Sequence, residues 1–179
     1  MDIYIIRHTT PEIETGICYG QSDIPINNNF IEESNKIIRT LPDEIDVVFS
    51  SPLKRCKALA DKIVFFSKQH PLFNIDDRLM EMNFGKWEMK KWDDIDRKEF
   101  DVWAEDVVNV NVPEGESFLE MNNRVKAFYE ELIKTNYKTV LIITHAGAIR
   151  CFLSIANSIE LEETLKIPID YATVRIISI

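Results

Sequence analysis

The chain of 179 residues is 45% hydrophobic, which is enough apolar material for one folded domain with a substantial core. Its formal net charge of −9 argues against general binding to nucleic acid or to anionic membranes, because both need a broad basic face. Three cysteines are too few for a disulfide framework and no apolar run reaches membrane length, so we expect a protein of the reducing cytoplasm.

The first predicted element is a buried strand over residues 2–6, an apolar and β-branched run. It stops at Arg7 and His8, which therefore lie at the carboxyl end of a strand, where open α/β sheets bind ligands. A long irregular segment over residues 12–29 follows and contains several turn-forming residues. A loop of this length inside a compact domain is often functional.

The next elements bring a further cation to a strand end. A moderate helix is predicted over residues 30–41, and a short strand over residues 46–50. Ser51 suits an N-cap and Pro52 suits the first position of a helix, so a helix is predicted to begin there. Arg55 then falls in the first turn of that helix.

The middle of the sequence is the least regular. Residues 72–75 are a short strand candidate, and residues 78–87 fit neither a clean helix nor a clean strand. Within that stretch Glu81 lies between two methionines, and it is either a solvated loop residue or a buried acid. The charged and aromatic segment 92–108 is predicted to be helical, with its surplus of acids as a solvated face.

The last third of the chain contains the clearest helix and a second histidine at a strand end. Ser117 opens a capping box, and apolar residues spaced three and four apart predict an amphipathic helix over residues 118–132. A continuous apolar strand over residues 138–144 delivers His145, and small residues open the helix that follows. A final strand is predicted over residues 172–179.

This order of strands and helices predicts one α/β domain over residues 1–179, a three-layer α/β/α arrangement around a mostly parallel central sheet. If the strands before His8, Arg55 and His145 lie side by side, these side chains converge with Arg7 on one pocket. Two cations and two imidazoles form an anion site, and a phosphate is the obvious occupant. The simpler alternative is that Arg7 and His8 have only structural roles, the arginine in a salt bridge and the histidine in hydrogen bonds within the fold.

Four motifs follow one another along the chain: Arg7-His8-Thr9, the turn at residues 50–56, Glu81 before Phe84-Gly85, and residues 144–147. Together they resemble the histidine phosphatase superfamily, with its phosphoglycerate-mutase-like fold, nearly end to end. Within it, the loop at residues 16–26 and the stretch 81–88 are similar to the α-ribazole phosphatase branch. Met89 is a departure, because relatives usually have glycine at that position.

The resemblance implies hydrolysis of a phosphate monoester through a phosphohistidine on His8. Arg7, Arg55 and a protonated or donating His145 would hold the phosphoryl oxygens. Glu81 would protonate the leaving alkoxide and, once ionised, activate the water that cleaves the phosphohistidine. We expect neither a metal nor a cofactor, since the histidines make a poor metal-ligand set.

The substrate implied by the resemblance is α-ribazole 5′-phosphate, hydrolysed to α-ribazole and phosphate in assembly of the cobalamin nucleotide loop. Thr9, Tyr19, Gln21 and Trp87 are expected around the leaving group, with the aromatic rings as stacking surfaces. A broad-specificity phosphatase, or a sugar-phosphate phosphatase or mutase of the same superfamily, is the alternative. Hydrolysis is favoured over mutase activity because the final strand closes the sequence and water access is expected. A non-catalytic phosphate-binding protein is disfavoured because all five pocket residues are present.

Overall fold

The computed structural model describes residues 1–179 and has a five-stranded sheet at its centre, with strands in the order β3-β2-β4-β1-β5. The strands are β1 (Asp2–Arg7), β2 (Val47–Ser50), β3 (Leu72–Ile75), β4 (Thr139–Thr144) and β5 (Val174–Ser178). β1 to β4 are parallel, and β5 pairs antiparallel with β1 at one edge. The predicted α/β fold with a mostly parallel sheet is confirmed.

Helices cover both faces of the sheet. They are α1 (Phe30–Ile38), α2 (Lys54–Phe66), α3 (Arg97–Glu105), α4 (Phe118–Leu132), α5 (Ala146–Asn157) and α6 (Leu161–Thr164). Successive residues of a strand point to opposite faces of the sheet, so they pack into two separate hydrophobic clusters. Ile3 and Ile5 of β1 pack in a cluster with α4 and α5, whereas Ile6 packs in a second cluster with α1 and α2. None of the helices is both long and apolar enough to cross a membrane.

Several predicted boundaries need correction. The helix predicted over residues 30–41 ends at Ile38, and the helix predicted from Pro52 begins at Lys54. Leu53 has extended backbone angles, and the Ser51 hydroxyl lies 2.8 Å from the imidazole of His145. Ser51 therefore does not act as the N-cap of α2.

The prediction that the segment 92–108 is helical throughout is wrong. It contains a 3₁₀ turn over Trp92–Asp94 and then α3, which Asp96 caps by accepting a hydrogen bond from the Lys98 N–H. The capping box at Ser117 is present as predicted and fixes the start of α4. The last strand is shorter than predicted, because Ala172 adopts a positive φ of 55° before β5 begins.

Met89, at which the sequence departs from the pattern that it resembles, has a φ of 66°. This left-handed conformation favours glycine, because a Cβ atom crowds the backbone there. The Met89 N–H donates to the carbonyl of Cys18 at 2.6 Å. This strained residue therefore links its own segment to the irregular stretch over residues 12–29.

Candidate active site

Three neighbouring parallel strands end in the same layer, and the residue after each one enters the site. The register pairs Arg7 with Thr144, so His8 and His145 follow adjacent strand ends. The ladder continues one residue further, because the His8 N–H donates to the Thr144 carbonyl and the Ser51 N–H to the Ile143 carbonyl, both at 3.0 Å. Backbone hydrogen bonds of the sheet therefore fix the positions of His8, Ser51 and His145.

His8 is oriented by its own backbone. Its Nδ1 lies 2.7 Å from the carbonyl oxygen of Thr9, which can only accept, so Nδ1 carries the proton. Nε2 consequently keeps its lone pair. The ring is 1% exposed, and burial together with Arg55 holds the pKa of His8 well below its usual value. His8 is therefore a neutral imidazole with a free nucleophilic nitrogen at neutral pH.

His145 faces His8, with ring centroids 5.0 Å apart. Its Nε2 lies 2.8 Å from the Ser51 hydroxyl, and the Cys56 thiol is 3.4 Å from the same nitrogen. Burial and the charge of Arg55 hold the pKa of His145 well below its usual value, so this imidazole is also neutral. When the Ser51 O–H donates to Nε2, the ring proton resides on Nδ1. A neutral donating His145 thus fits better than the protonated alternative.

Two arginines, Arg55 buried and Arg7 half-buried, stand beside these imidazoles without a carboxylate partner. Arg55 is completely buried, and its guanidinium donates to the carbonyls of Gly20 and Ser22 at 2.6 and 2.8 Å. Arg7 donates through Nη1 to the Ile169 carbonyl. The Nε atoms of both arginines are buried without a hydrogen-bond partner. Cations withdrawn from water without a counter-ion are costly, so this pair suits an anionic ligand.

Glu81 is half-buried and reaches the start of α5. Its Oε1 accepts the N–H of Met82 at 3.0 Å and the N–H of Gly147 at 3.1 Å. A Cβ at Gly147 would lie 2.4 Å from that oxygen, so glycine there makes room for the carboxylate. The N–H of Gly147, in the first turn of α5, is thus occupied by Glu81. The carboxylate therefore bonds the backbone two residues after His145.

Arg124 on α4 holds the backbone of the Glu81 segment. Its guanidinium donates to the carbonyls of Arg78, Met80 and Glu81 at 2.7, 2.9 and 3.0 Å. Glu116 balances its charge through an ion pair at 2.6 Å. Three carbonyls bound to one cation leave this irregular stretch little freedom, which gives Glu81 a defined position without regular secondary structure.

The four residues expected around the leaving group differ in their burial and in their hydrogen bonds. Tyr19 and Gln21 lie on the loop that Arg55 holds, and the Gln21 amide donates to the Glu81 carbonyl at 3.0 Å. Thr9 is fully buried, and its hydroxyl has no hydrogen-bond partner. Trp87 is 0% exposed and packs against the Trp103 ring, so the prediction that it offers a stacking surface is wrong.

Sequence reasoning missed three residues of the site. Ser51 was interpreted as a helix cap, although it bonds His145. Tyr171 lies outside every motif, yet its ring stands 3.7 Å from the Arg7 guanidinium carbon. Arg150 lies one helical turn after Gly147 and is half-buried without an ion pair. The only feature of the sequence that could have indicated Arg150 is its spacing of three residues from Gly147. Residues three apart lie on the same face of a helix, here α5.

The profile of the histidine phosphatase superfamily (branch 1) matches residues 3–179. The chain therefore belongs to this superfamily, and its phosphatase relatives assign it to the phosphoric monoester hydrolases.

Individual relatives differ in the substrate that their names give. The adenosylcobalamin/alpha-ribazole phosphatase of Escherichia coli K12 is 28% identical over 161 residues, which cover 86% of this chain and 78% of the relative. Phosphoserine phosphatase 1 of Hydrogenobacter thermophilus is 26% identical over 181 residues, covering 98% and 85%. The crystal structure of the alpha-ribazole phosphatase from Shigella flexneri superposes with a TM-score of 0.90 at 26% identity, covering 100% of this chain and 91% of that one.

Proposed function

We propose that the protein hydrolyses a phosphate monoester through a phosphohistidine on His8. The observation that carries this proposal is the His8 imidazole, held neutral with Nε2 free beside two arginines that lack carboxylate partners. An imidazole is a good nucleophile only when it is unprotonated. The arginine N–H groups suit the equatorial oxygens of a phosphoryl group, where charge accumulates in the transition state.

Two displacements complete the reaction. In the first, the His8 Nε2 lone pair forms the N–P bond while the P–O bond to the leaving group breaks, and the leaving oxygen takes a proton from Glu81. In the second, water attacks phosphorus and gives a proton to the Glu81 carboxylate, and the N–P bond breaks to restore neutral His8. His145 donates through Nδ1 to the phosphoryl oxygens in both steps. These steps use side chains of this chain alone.

The proposed substrate is α-ribazole 5′-phosphate, which places the protein in cobalamin nucleotide-loop assembly in the cytoplasm. Support comes from the α-ribazole phosphatase names of a relative and of a solved structure, both covering most of this chain. The aromatic residue Tyr19 stands on the loop at the site and can meet a flat base.

Phosphoserine is a second candidate, and Arg150 is the observation that favours it. The Arg150 Nη2 donates to the Ile167 carbonyl at 3.2 Å, its Nε is buried without a partner, and no carboxylate pairs with it. A half-buried guanidinium of this kind suits the carboxylate of an amino-acid substrate. A relative named for phosphoserine supports the same choice.

The phosphohistidine is tested by quenching the enzyme with substrate under alkaline conditions. An alkali-stable, acid-labile phosphoenzyme should form in the wild type and be absent in His8→Ala. His70→Ala is the matched control, because that histidine is exposed and outside the site. Substantial turnover by His8→Ala would exclude His8 as the nucleophile.

The substrate is tested by comparing kcat/KM for α-ribazole 5′-phosphate, phosphoserine, 3-phosphoglycerate, fructose phosphates and ordinary nucleotides. A clear preference for the first compound supports the proposal. A preference for phosphoserine that Arg150→Gln abolishes supports the second candidate. Similar values for all compounds would identify a broad-specificity phosphatase instead.

A further inference from the structure

Two tyrosines from opposite ends of the chain meet over the phosphate clamp. The hydroxyls of Tyr19 and Tyr171 lie 2.7 Å apart. The Tyr171 ring stacks on Arg7, 3.7 Å from its guanidinium carbon, and the Tyr19 ring lies 5.1 Å from that of Arg55. The Tyr171 ring centroid is also 5.5 Å from that of His8. One aromatic pair thus touches the nucleophile and both proposed phosphate-binding cations.

The backbone holds Tyr171 firmly in this place. The N–H of Ala172 donates to the His8 carbonyl at 3.1 Å, and the N–H of Arg7 donates to the Thr173 carbonyl at 3.0 Å. These bonds involve the two residues that follow Tyr171, and they extend the pairing of β1 with β5 up to the site. The position of the ring relative to His8 is therefore set by the sheet rather than by a free loop.

The stacking leaves the binding edges of the arginines available. A ring over the face of a guanidinium uses the π system of the cation, whereas the N–H donors point outward in its plane. A phosphoryl group can therefore bind at the N–H edges while both rings stay in place. The next atoms of the substrate beyond the phosphoryl oxygens then meet the tyrosine pair.

From this geometry we infer that Tyr171 is a specificity-determining residue, whose ring forms with Tyr19 the aromatic wall against which a flat leaving group packs. The inference rests on the proposed function only in requiring that the clamp holds a phosphoryl group. The protein should then prefer aromatic to small aliphatic phosphate esters, because only the aromatic ones pack against the ring of Tyr171. Such aromatic pairs strengthen binding about 2- to 12-fold beyond the effect of area alone.

The experiment measures competitive inhibition constants for methylphosphonate and benzylphosphonate, which carry the same anionic head and are not hydrolysed as esters. In the wild type, benzylphosphonate should bind more tightly. Tyr171→Leu should lower this preference about 2- to 12-fold, whereas Tyr171→Phe should keep it, because the ring remains. Tyr137→Leu is the control, since Tyr137 is half-buried against the core at the start of β4. Should Tyr171→Leu not fold, Tyr171→Met carries the same expectation.

An unchanged preference in the variant without the ring would overturn the inference, even if both ligands bound more weakly. Equal losses in Tyr171→Phe or in Tyr137→Leu would overturn it as well. The readout is independent of the physiological substrate. If α-ribazole 5′-phosphate is not hydrolysed but the preference falls as expected, the substrate proposal fails and the role of Tyr171 stands.

Discussion

The two buried neutral imidazoles should make the stability of the protein depend on pH. His8 and His145 are 1% and 0% exposed, and burial with the nearby arginines keeps the pKa of each well below its usual value. In the unfolded chain both would bind protons below about pH 6.5. The unfolded state therefore takes up more protons than the native state, and the free energy of unfolding must fall as the pH decreases below that value.

The magnitude follows from the number of protons. Each histidine that is protonated only in the unfolded state changes the free energy of unfolding by about 1.4 kcal/mol per pH unit. Because each histidine of the unfolded chain is only half protonated at pH 6.5, two such residues amount to about 3 kcal/mol between pH 6.5 and pH 5.0, less than the full slope would give. This is a large part of the roughly 5–15 kcal/mol that stabilises a typical domain.

Urea unfolding at several pH values between 5.0 and 7.5, in a buffer without phosphate, measures this loss. The double variant His8→Gln/His145→Gln should lose about 3 kcal/mol less than the wild type over the same interval. His70→Gln should behave like the wild type, because His70 is exposed. If the double variant and the wild type lose stability equally, the imidazoles are not held neutral by the fold and the argument for an unprotonated His8 fails.

Three further expectations concern catalysis. Glu81→Gln should slow phosphoenzyme formation by on the order of 10²–10⁴-fold for alkyl phosphates and far less for p-nitrophenyl phosphate, whose leaving group needs no proton; equal slowing would indicate a positioning role. Activity should survive EDTA, and loss that a divalent cation restores would contradict a metal-free reaction. Ser51→Ala removes the donor to His145 Nε2 and should lower kcat/KM about 2- to 13-fold, with recovery in Ser51→Thr; an unchanged pH profile and rate would exclude this role of Ser51.

The parts of the fold that sequence reasoning predicted correctly depend on local pattern. The strand before His8 and the strand before His145 are continuous apolar runs, and their burial in a parallel sheet follows directly from that composition. The capping box at Ser117 works through atoms only three residues apart, so its consequence can also be derived without the fold.

The errors arose where a distant contact determines the local structure. Ser51 and Pro52 have the composition of a helix start, but the Ser51 hydroxyl bonds His145, which is 94 residues away in the sequence. Trp87 has the composition of a ligand platform, but its indole N–H donates to Glu99 and its ring packs within an aromatic cluster. Tyr171 could not be found because only the pairing of β5 with β1 brings it to His8.

The candidate site divides into two halves that are held by different means, and under the proposed function this division lets one chemistry serve several leaving groups. His8, Ser51 and His145 follow the ends of parallel strands, where sheet hydrogen bonds fix them. The half proposed to face the leaving group consists of loop segments that side chains tie together: Arg55 binds the carbonyls of residues 20 and 22, and Glu88 accepts from the N–H of Gln21. Loop residues can change without moving the strand ends. The phosphoryl chemistry can therefore persist among relatives about 26–28% identical to this chain whose names give different substrates.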